Sequence, residues 1–349
     1  MRIRLFTSIL SLILTTIVVL QAQPASDKLI RRGVAMHDRG RYRDAISFYQ
    51  QALKLNPSSM AATYEMALSY LMLKDYDNAL KFSTKIINAN FRPLMVDAYC
   101  VKSTALADSG KLPLAIQLLT EALKKCGDEY LLHYNLGLCY FKNKELNLSI
   151  YHLQKAIEID TTQPSVFLLY AYALNDSGRW IQSFFTFHFF LLLEPNTDRS
   201  KDAFGELYDI LTQQLEPDSQ RLTTEDGVDT RVIYEYLRKI QPKMQDQHFQ
   251  YAFFEQASKY IFLSLNELQN DTRKGLLWDF YVPIYNEILH SGYFDTYCRY
   301  VSSSYFPVSL QWWQTNTTKV DGFIEWFEDG QGSSSSSEHD EDLGDDSDL

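Results

Sequence analysis

The N-terminal half of the sequence repeats itself at intervals of about 34 residues. Residues 26–57 (SDKLIRRGVAMHDRGRYRDAISFYQQALKLNP) align with residues 164–195 (PSVFLLYAYALNDSGRWIQSFFTFHFFLLLEP). Both segments have a small residue, then a Gly followed by Arg and an aromatic residue, and both end in Pro. Three more units fit between them, with starts at 26, 60, 96, 130 and 164. A period of this size indicates stacked supersecondary units that bury their apolar sides against one another.

Small residues recur at two fixed positions of the five units, which span 26–59, 60–95, 96–129, 130–163 and 164–197. The first position holds Gly33, Ala67, Ser103, Gly137 and Ala171. The second position holds Ala45, Ala79, Ala115, Ser149 and Ser183. Small side chains at fixed offsets would let two helix backbones approach closely. Polar or Gly-containing stretches mark the turns at 38–42, 74–78, 108–111, 142–145 and 176–180.

This pattern resembles the tetratricopeptide repeat family over residues 26–197. The resemblance implies an all-α fold, in which helix–turn–helix repeats stack into a right-handed superhelical solenoid. Two positions depart from the family pattern, because Ile86 and Phe190 stand where a small residue is usual. Those two units are expected to be spread wider or packed differently. No family resemblance covers residues 198–328.

The resemblance implies that the first helix of each unit supplies the residues that face a ligand. The candidates for such a peptide groove are Tyr64, Leu68, Tyr134, Leu138, Phe141, Tyr172 and Asn175. They suit a helix or an extended peptide of a protein partner, including a component of the cell envelope. The alternative is that they belong to the core. No chaperone tail is expected as ligand, because the positions of the family's carboxylate clamp hold Ile30, Val34, Glu65, Asp97 and Val101, none of them basic.

Residues 198–328 are predicted to form an aromatic-rich helical extension. The second helix of the fifth unit, IQSFFTFHFFLLL, is apolar on nearly all sides, so this extension is expected to cover it. Residues 246–328 contain 21 aromatic side chains. Trp312, Trp313 and Trp326 are candidates for a patch that stacks on carbohydrate or peptidoglycan. The alternative is an aromatic helical core.

The two ends of the chain have biased compositions. Residues 1–22 combine a basic start (MRIR), an uncharged apolar run from Leu5 to Leu20 and a small residue, Ala22, which is the order of a secretory signal peptide. We therefore expect export to the periplasm or cell envelope of a Gram-negative bacterium. The alternative is an uncleaved anchor in the inner membrane. Residues 329–349, rich in Ser, Asp and Glu, are predicted to form a disordered acidic tail.

The sequence contains no recognisable catalytic, cofactor-binding or metal-binding motif, so a non-catalytic interaction protein is expected. The net charge of −11 argues against a nucleic-acid partner. Seven scattered histidines are interpreted as structural, including His133 and His152, which lie on different predicted helices. The four cysteines match no metal spacing. They are interpreted as buried thiols, with a Cys126–Cys139 bridge as the alternative.

Overall fold

A computed structural model describes residues 24–213, 224–225, 228–241 and 246–334, most of them in helices. The predicted signal peptide, residues 1–22, and residues 335–349 of the predicted tail lie outside the described residues. The chain divides into two compact units, one ending at Thr161 and the other beginning at Thr162. The predicted all-α fold of helix–turn–helix repeats with an aromatic-rich helical extension is confirmed.

The first unit consists of four helix pairs, which are the first four predicted repeats. The helices are α1 (24–37), α2 (Tyr42–Leu55), α3 (Met60–Met72), α4 (Tyr76–Asn88), α5 (Met95–Asp108), α6 (Leu112–Cys126), α7 (Tyr130–Lys142) and α8 (Leu146–Ile159), with a 3-10 turn at Arg92–Leu94. Helices α3, α5 and α7 pack against the second helix of their own repeat, and Ile30 and Val34 of α1 pack against a cluster that includes Tyr49 of α2. Helices α3, α5 and α7 also contact one another in sequence, so the first helices form a continuous surface.

A left-handed residue turns the chain in every repeat, two positions before the second helix begins. Glycine serves in three repeats, at Gly40, Gly110 and Gly178, with φ of 72°, 81° and 82°. Lysine stands at the equivalent positions of the other two repeats, where Lys74 and Lys144 have φ of 60° and 61°. A side chain makes this conformation unfavourable. The predicted turns are therefore confirmed, and two of them carry a strained backbone.

The small residues in the first helices allow bulky residues of the second helices to approach the backbone. A Cβ atom added at Gly33 would lie 2.2 Å from Cε1 of Tyr49, and one at Gly137 would lie 2.6 Å from Cγ of Leu153. Both Tyr49 and Leu153 are fully buried. The Ser149 hydroxyl donates a hydrogen bond of 2.8 Å to the carbonyl oxygen of Gly137. The glycines in this column are thus required by close packing and not by backbone conformation.

The second unit begins with the fifth repeat and continues through the aromatic-rich region. Its elements are α9 (Pro164–Asp176), α10 (Trp180–Leu193), α11 (Asp198–Gln213), a two-stranded antiparallel sheet of β1 (Thr224–Glu225) and β2 (Val228–Asp229), α12 (Thr230–Ile240), α13 (Gln247–Leu268), a π-helical turn (Leu277–Tyr281) that runs into α14 (Val282–His290), α15 (Phe294–Val301), α16 (Pro307–Thr315) and α17 (Thr317–Ser334). Helix α17 continues past residue 328, so the first six residues of the predicted tail, 329–334, are helical.

Helix α10 forms the centre of the second unit. Twelve of its 14 residues are buried, as predicted from its uniformly apolar sequence. It packs against α11, α15 and the π-helical turn, and the Tyr285 hydroxyl donates to the carbonyl oxygen of Phe185 at 3.1 Å. The C-terminal region therefore covers the last repeat. For this reason the compact units divide between the fourth and fifth repeats, and not at residue 197, where the repeats end.

Candidate functional site

The candidate groove residues of the first unit lie on two of its first helices. Tyr64 and Leu68 belong to α3, and Tyr134, Leu138 and Phe141 belong to α7. All five side chains are half-buried. They differ in this respect from the core residues of the same helices, such as those in the small-residue column, which are buried. Part of each candidate side chain thus stays accessible for a ligand.

Acidic groups surround Tyr64 at the junction of α3 and α5. Burial and the nearby carboxylates of Asp97 and Glu65 raise the pKa of Tyr64 to about 12. Its hydroxyl therefore keeps its proton at neutral pH and can donate a hydrogen bond. Burial also raises the pKa of Glu65, whose carboxylate accepts a hydrogen bond of 3.5 Å from the Tyr49 hydroxyl. This end of the surface combines apolar area with phenol donors and carboxylate acceptors.

Contacts between α5 and α7 hold the other end of the surface in place. Lys142 Nζ lies 3.0 Å from Asp108 Oδ1, which joins the ends of the two helices by an ion pair. Within α7, the Tyr130 and Tyr134 rings stack with centroids 6.1 Å apart. Cys100 Sγ on α5 lies 3.8 Å from the carbonyl oxygen of Leu131. The candidate side chains that stay accessible beside these contacts are apolar or aromatic.

The two remaining groove candidates, Tyr172 and Asn175, belong to the second unit. The Tyr172 ring meets the Phe187 ring edge to face, with centroids 5.3 Å apart. Its pKa is raised by burial and by Glu206 and Asp202 of α11. The side-chain oxygen of Asn175 is buried and makes no hydrogen bond to the described residues. The seven candidates thus fall into two groups, five in the first unit and two in the second.

The three candidate tryptophans near the C-terminus are half-buried and packed against other side chains. Trp313 contacts Tyr300 with ring centroids 5.0 Å apart, and Trp326 contacts Tyr293 at 5.6 Å. Trp312 has the cation of Lys319 5.9 Å from its ring centroid. Eleven of the 21 aromatic residues of 246–328 are buried, and Phe249 is the one that is clearly exposed. The aromatic content of this region mainly builds a core.

The structure brings together two histidines that lie 19 residues apart in the sequence. Nδ1 of His133 on α7 and Nδ1 of His152 on α8 are 3.0 Å apart. Nε2 of His133 lies 3.3 Å from Asp128 Oδ1. Burial, together with the neighbouring His133, lowers the pKa of His152 to about 4, so His152 is neutral at physiological pH. The repeat register could have indicated this pair, because it places α7 against α8. Gly137 of α7 and Leu153 of α8 meet across the same two helices.

The other buried histidine also has a structural role. His188 of α10 is fully buried, with the Tyr297 hydroxyl at Nδ1 and the Ser258 hydroxyl 3.4 Å from Nε2. Burial lowers the pKa of His188 to about 3. All four cysteines are free thiols, so Cys126 and Cys139 are not bridged.

The described residues, 24–334 with their gaps, contain neither a membrane-spanning helix nor a metal-binding cluster. Among them, no helix combines the length and apolar character that crossing a bilayer requires. The same part of the chain has no group of three or more His, Cys, Asp or Glu side chains that could hold a metal ion.

Comparisons with known proteins agree with the repeat pattern. Two family models described as tetratricopeptide repeat match residues 34–87 and 130–162. No curated protein matches the chain. Among solved structures, a thermophilic tetratricopeptide repeat protein of Thermus thermophilus is 24% identical, with 54% of this chain and 99% of that chain covered and a TM-score of 0.46.

PilF of Pseudomonas aeruginosa is 20% identical, with 58% and 96% covered and a TM-score of 0.46. The type IV pilus biogenesis factor PilW is 18% identical, with 57% and 96% covered and a TM-score of 0.45. The two family models and the repeated helix–turn–helix geometry agree, so residues 34–87 and 130–162 of this chain are tetratricopeptide repeats.

Proposed function

We propose that this chain is an exported, non-catalytic interaction protein of the cell envelope, whose repeats hold a segment of another protein. One observation supports this proposal above all others. Tyr64, Leu68, Tyr134, Leu138 and Phe141 lie half-buried on the connected first helices of the first unit. Half-buried aromatic and aliphatic side chains can anchor a partner at low entropic cost, because their neighbours already restrict them.

The chemistry of this surface favours an amphipathic helix or an extended segment with apolar anchors. Tyr64 and Tyr134 offer large rings with hydroxyl groups, while Glu65 and Asp97 add negative charge beside Tyr64. Apolar side chains of the partner would pack on the rings, and a basic or amide group would meet the carboxylates. Export rests on the signal-like order of residues 1–22.

Site-specific photo-crosslinking in the native cell tests the proposed surface. A photoreactive amino acid replaces Tyr64 or Tyr134 in separate full-length chains. Matched controls carry it at Leu114 on α6 and at Leu148 on α8, whose side chains are 52% and 41% exposed. We expect the same protein to be captured from both tyrosine positions and from neither leucine position. Identical products from all four positions would contradict binding at the first helices.

Two further measurements test the remaining parts of this proposal. The variants Tyr64→Lys and Tyr134→Lys should lose the captured partner, whereas Leu114→Lys and Leu148→Lys should keep it. Mass spectrometry of the mature N-terminus distinguishes a cleaved signal from a retained membrane anchor. Carbohydrate binding through Trp312, Trp313 and Trp326 stays a prediction, which a glycan array decides.

A further inference from the structure

Charge is distributed very unevenly along this chain. Residues 24–161 carry 18 basic and 14 acidic side chains, whereas residues 162–349 carry 13 basic and 30 acidic ones. The first unit is therefore positive, although the whole chain has a net charge of −11. An uneven charge distribution of this kind favours binding of an anionic group to the basic residues.

The positive charge of the first unit is concentrated in its first repeat. Five cations, which we name the N-terminal basic surface, are solvent-exposed: Lys28, Arg31, Arg32, Arg39 and Arg43. None of these five forms an ion pair with another of the described residues. Their neighbour Arg41 differs, because it pairs with Asp44 at 2.7 Å. The five cations are therefore available to an anionic partner.

Helix α1 presents three of these cations on one side. Lys28, Arg31 and Arg32 are spaced i, i+3 and i+4, which places them on a single helix face. The opposite side of α1 faces the core, where Ile30 and Val34 pack against the buried cluster of the first two repeats. The cations thus project away from the core.

The exposed side of a helix needs polar side chains for solubility, and this requirement explains why polar residues stand there. The same requirement does not explain why the charged side chains on this surface are nearly all basic. A mixture of acidic and basic residues would serve equally well, yet residues 28–43 contain six basic residues and a single acidic one, Asp38. The bias toward one sign indicates attraction to an anionic group.

The chain itself contains a matching anionic segment. Between residues 338 and 348 there are seven carboxylates and no basic side chain except His339: Glu338, Asp340, Glu341, Asp342, Asp345, Asp346 and Asp348. This segment follows the end of α17 at Ser334. Fifteen residues connect Ser334 to the C-terminus, which corresponds to about 50 Å of extended chain.

We propose that the acidic segment 338–348 docks on the N-terminal basic surface. The contact is electrostatic, with carboxylates of the segment facing the guanidinium groups of Arg31, Arg32 and Arg39. Arginine suits this role because its planar donor group can bind a carboxylate through two hydrogen bonds. The proposal concerns the outer side of α1 and is independent of the proposed groove on α3 and α7.

Fluorescence anisotropy with a labelled synthetic peptide of residues 335–349 tests the docking. The receptor is the full-length chain whose seven tail carboxylates are replaced by amides, so that its own tail cannot compete. We expect binding at about 20 mM salt that weakens about ten-fold at about 300 mM, because salt screens surface charges. The chain with its natural tail should bind the peptide several-fold more weakly, since that tail already occupies the surface.

Variants separate a specific surface from general attraction. In the amide-tail chain, Arg31→Gln with Arg32→Gln should weaken peptide binding about ten-fold, equivalent to about 1.4 kcal/mol. Lys124→Gln with Lys125→Gln, at an exposed lysine pair at the end of α6, should leave it within about two-fold. Far-UV circular dichroism verifies that both variants fold. If the Arg31 and Arg32 variant does not fold, the milder single change Arg39→Gln repeats the test.

Three results would overturn the proposal. One is no peptide binding at low salt, and another is an equal loss in the Lys124 and Lys125 variant. The third concerns lipid as a competing ligand. In that result, Arg31→Gln with Arg32→Gln abolishes binding to vesicles of phosphatidylglycerol and phosphatidylcholine but leaves peptide binding unchanged, so that the ligand of this surface is lipid.

Discussion

The substitution Gly137→Ala provides a quantitative test of how the repeats pack. The new Cβ atom would lie 2.6 Å from Cγ and 2.7 Å from Cδ2 of Leu153. Both distances are far below van der Waals contact, and Leu153 is fully buried, so its side chain has little room to move. Overpacking of this kind costs about 1–3 kcal/mol. Replacing a helical glycine by alanine returns up to about 1 kcal/mol. We therefore expect a net loss of about 1–2 kcal/mol in the free energy of unfolding.

A double-mutant cycle with Leu153→Ala isolates the steric conflict. Leu153→Ala alone leaves a cavity and should cost about 2–5 kcal/mol. In that background Gly137→Ala no longer meets the leucine side chain. It should then be neutral or stabilising by up to about 1 kcal/mol. The expected coupling energy between the two positions is about 2 kcal/mol.

Gly205 is a matched control in α11 of the second unit. A Cβ atom there would find its nearest neighbour, Cε2 of Tyr305, at an ordinary distance of 3.7 Å. Gly205→Ala should therefore stabilise its unit by about 0.5–1 kcal/mol.

Urea unfolding of the full chain measures these effects with two probes. All five tryptophans lie in the second unit, so their fluorescence reports on that unit, whereas far-UV circular dichroism follows both units. Gly137→Ala should shift the circular dichroism transition, and Gly205→Ala the fluorescence transition. A neutral or stabilising Gly137→Ala in the natural background would refute the packing explanation.

Three further predictions follow from single residues. Lys74→Gly should raise the free energy of unfolding by up to about 1 kcal/mol, because Lys74 has a φ of 60° that glycine adopts without strain. Gly40→Ala, at the equivalent turn of the first repeat, should lower the free energy of unfolding. Urea unfolding measures both effects. The pKa of His152 falls from about 6.5 in the unfolded chain to about 4 in the folded one, so the neutral form is favoured by folding. Stability should therefore be lost as the pH falls from about 6.5 toward 4, by about 1 kcal/mol at pH 5 once solvent screening of this half-buried ring is allowed for. The variant His152→Gln should lack this part of the pH dependence. The same pH profile of stability in the variant and in the natural chain would contradict the expectation. Tyr297→Phe should destabilise the second unit by about 1–3 kcal/mol, since buried His188 loses its hydroxyl partner, and tryptophan fluorescence during urea unfolding checks this.

Much of the candidate surface could be predicted because it follows from the repeat register. The periodic small residues place every first helix against its second helix, so residues at equivalent positions of α3 and α7 share an environment. Tyr64 and Tyr134 occupy such equivalent positions, and both are half-buried. Tyr172 occupies a first-helix position of the fifth repeat, but acidic residues of α11 lie near it. The register cannot foresee that influence, because α11 lies outside the repeats.

The sequence by itself determined the helix–turn–helix units, their turns and the burial of α10, because each depends on local periodicity and on the apolar character of one segment. Tertiary structure decided which residues meet across helices. It paired His133 with His152 and His188 with Tyr297, residues that are 19 and 109 positions apart. It also divided the compact units at Thr161 instead of at the end of the repeats. The physical reason is that α10 has two apolar sides, and only the folded chain shows which helices cover them.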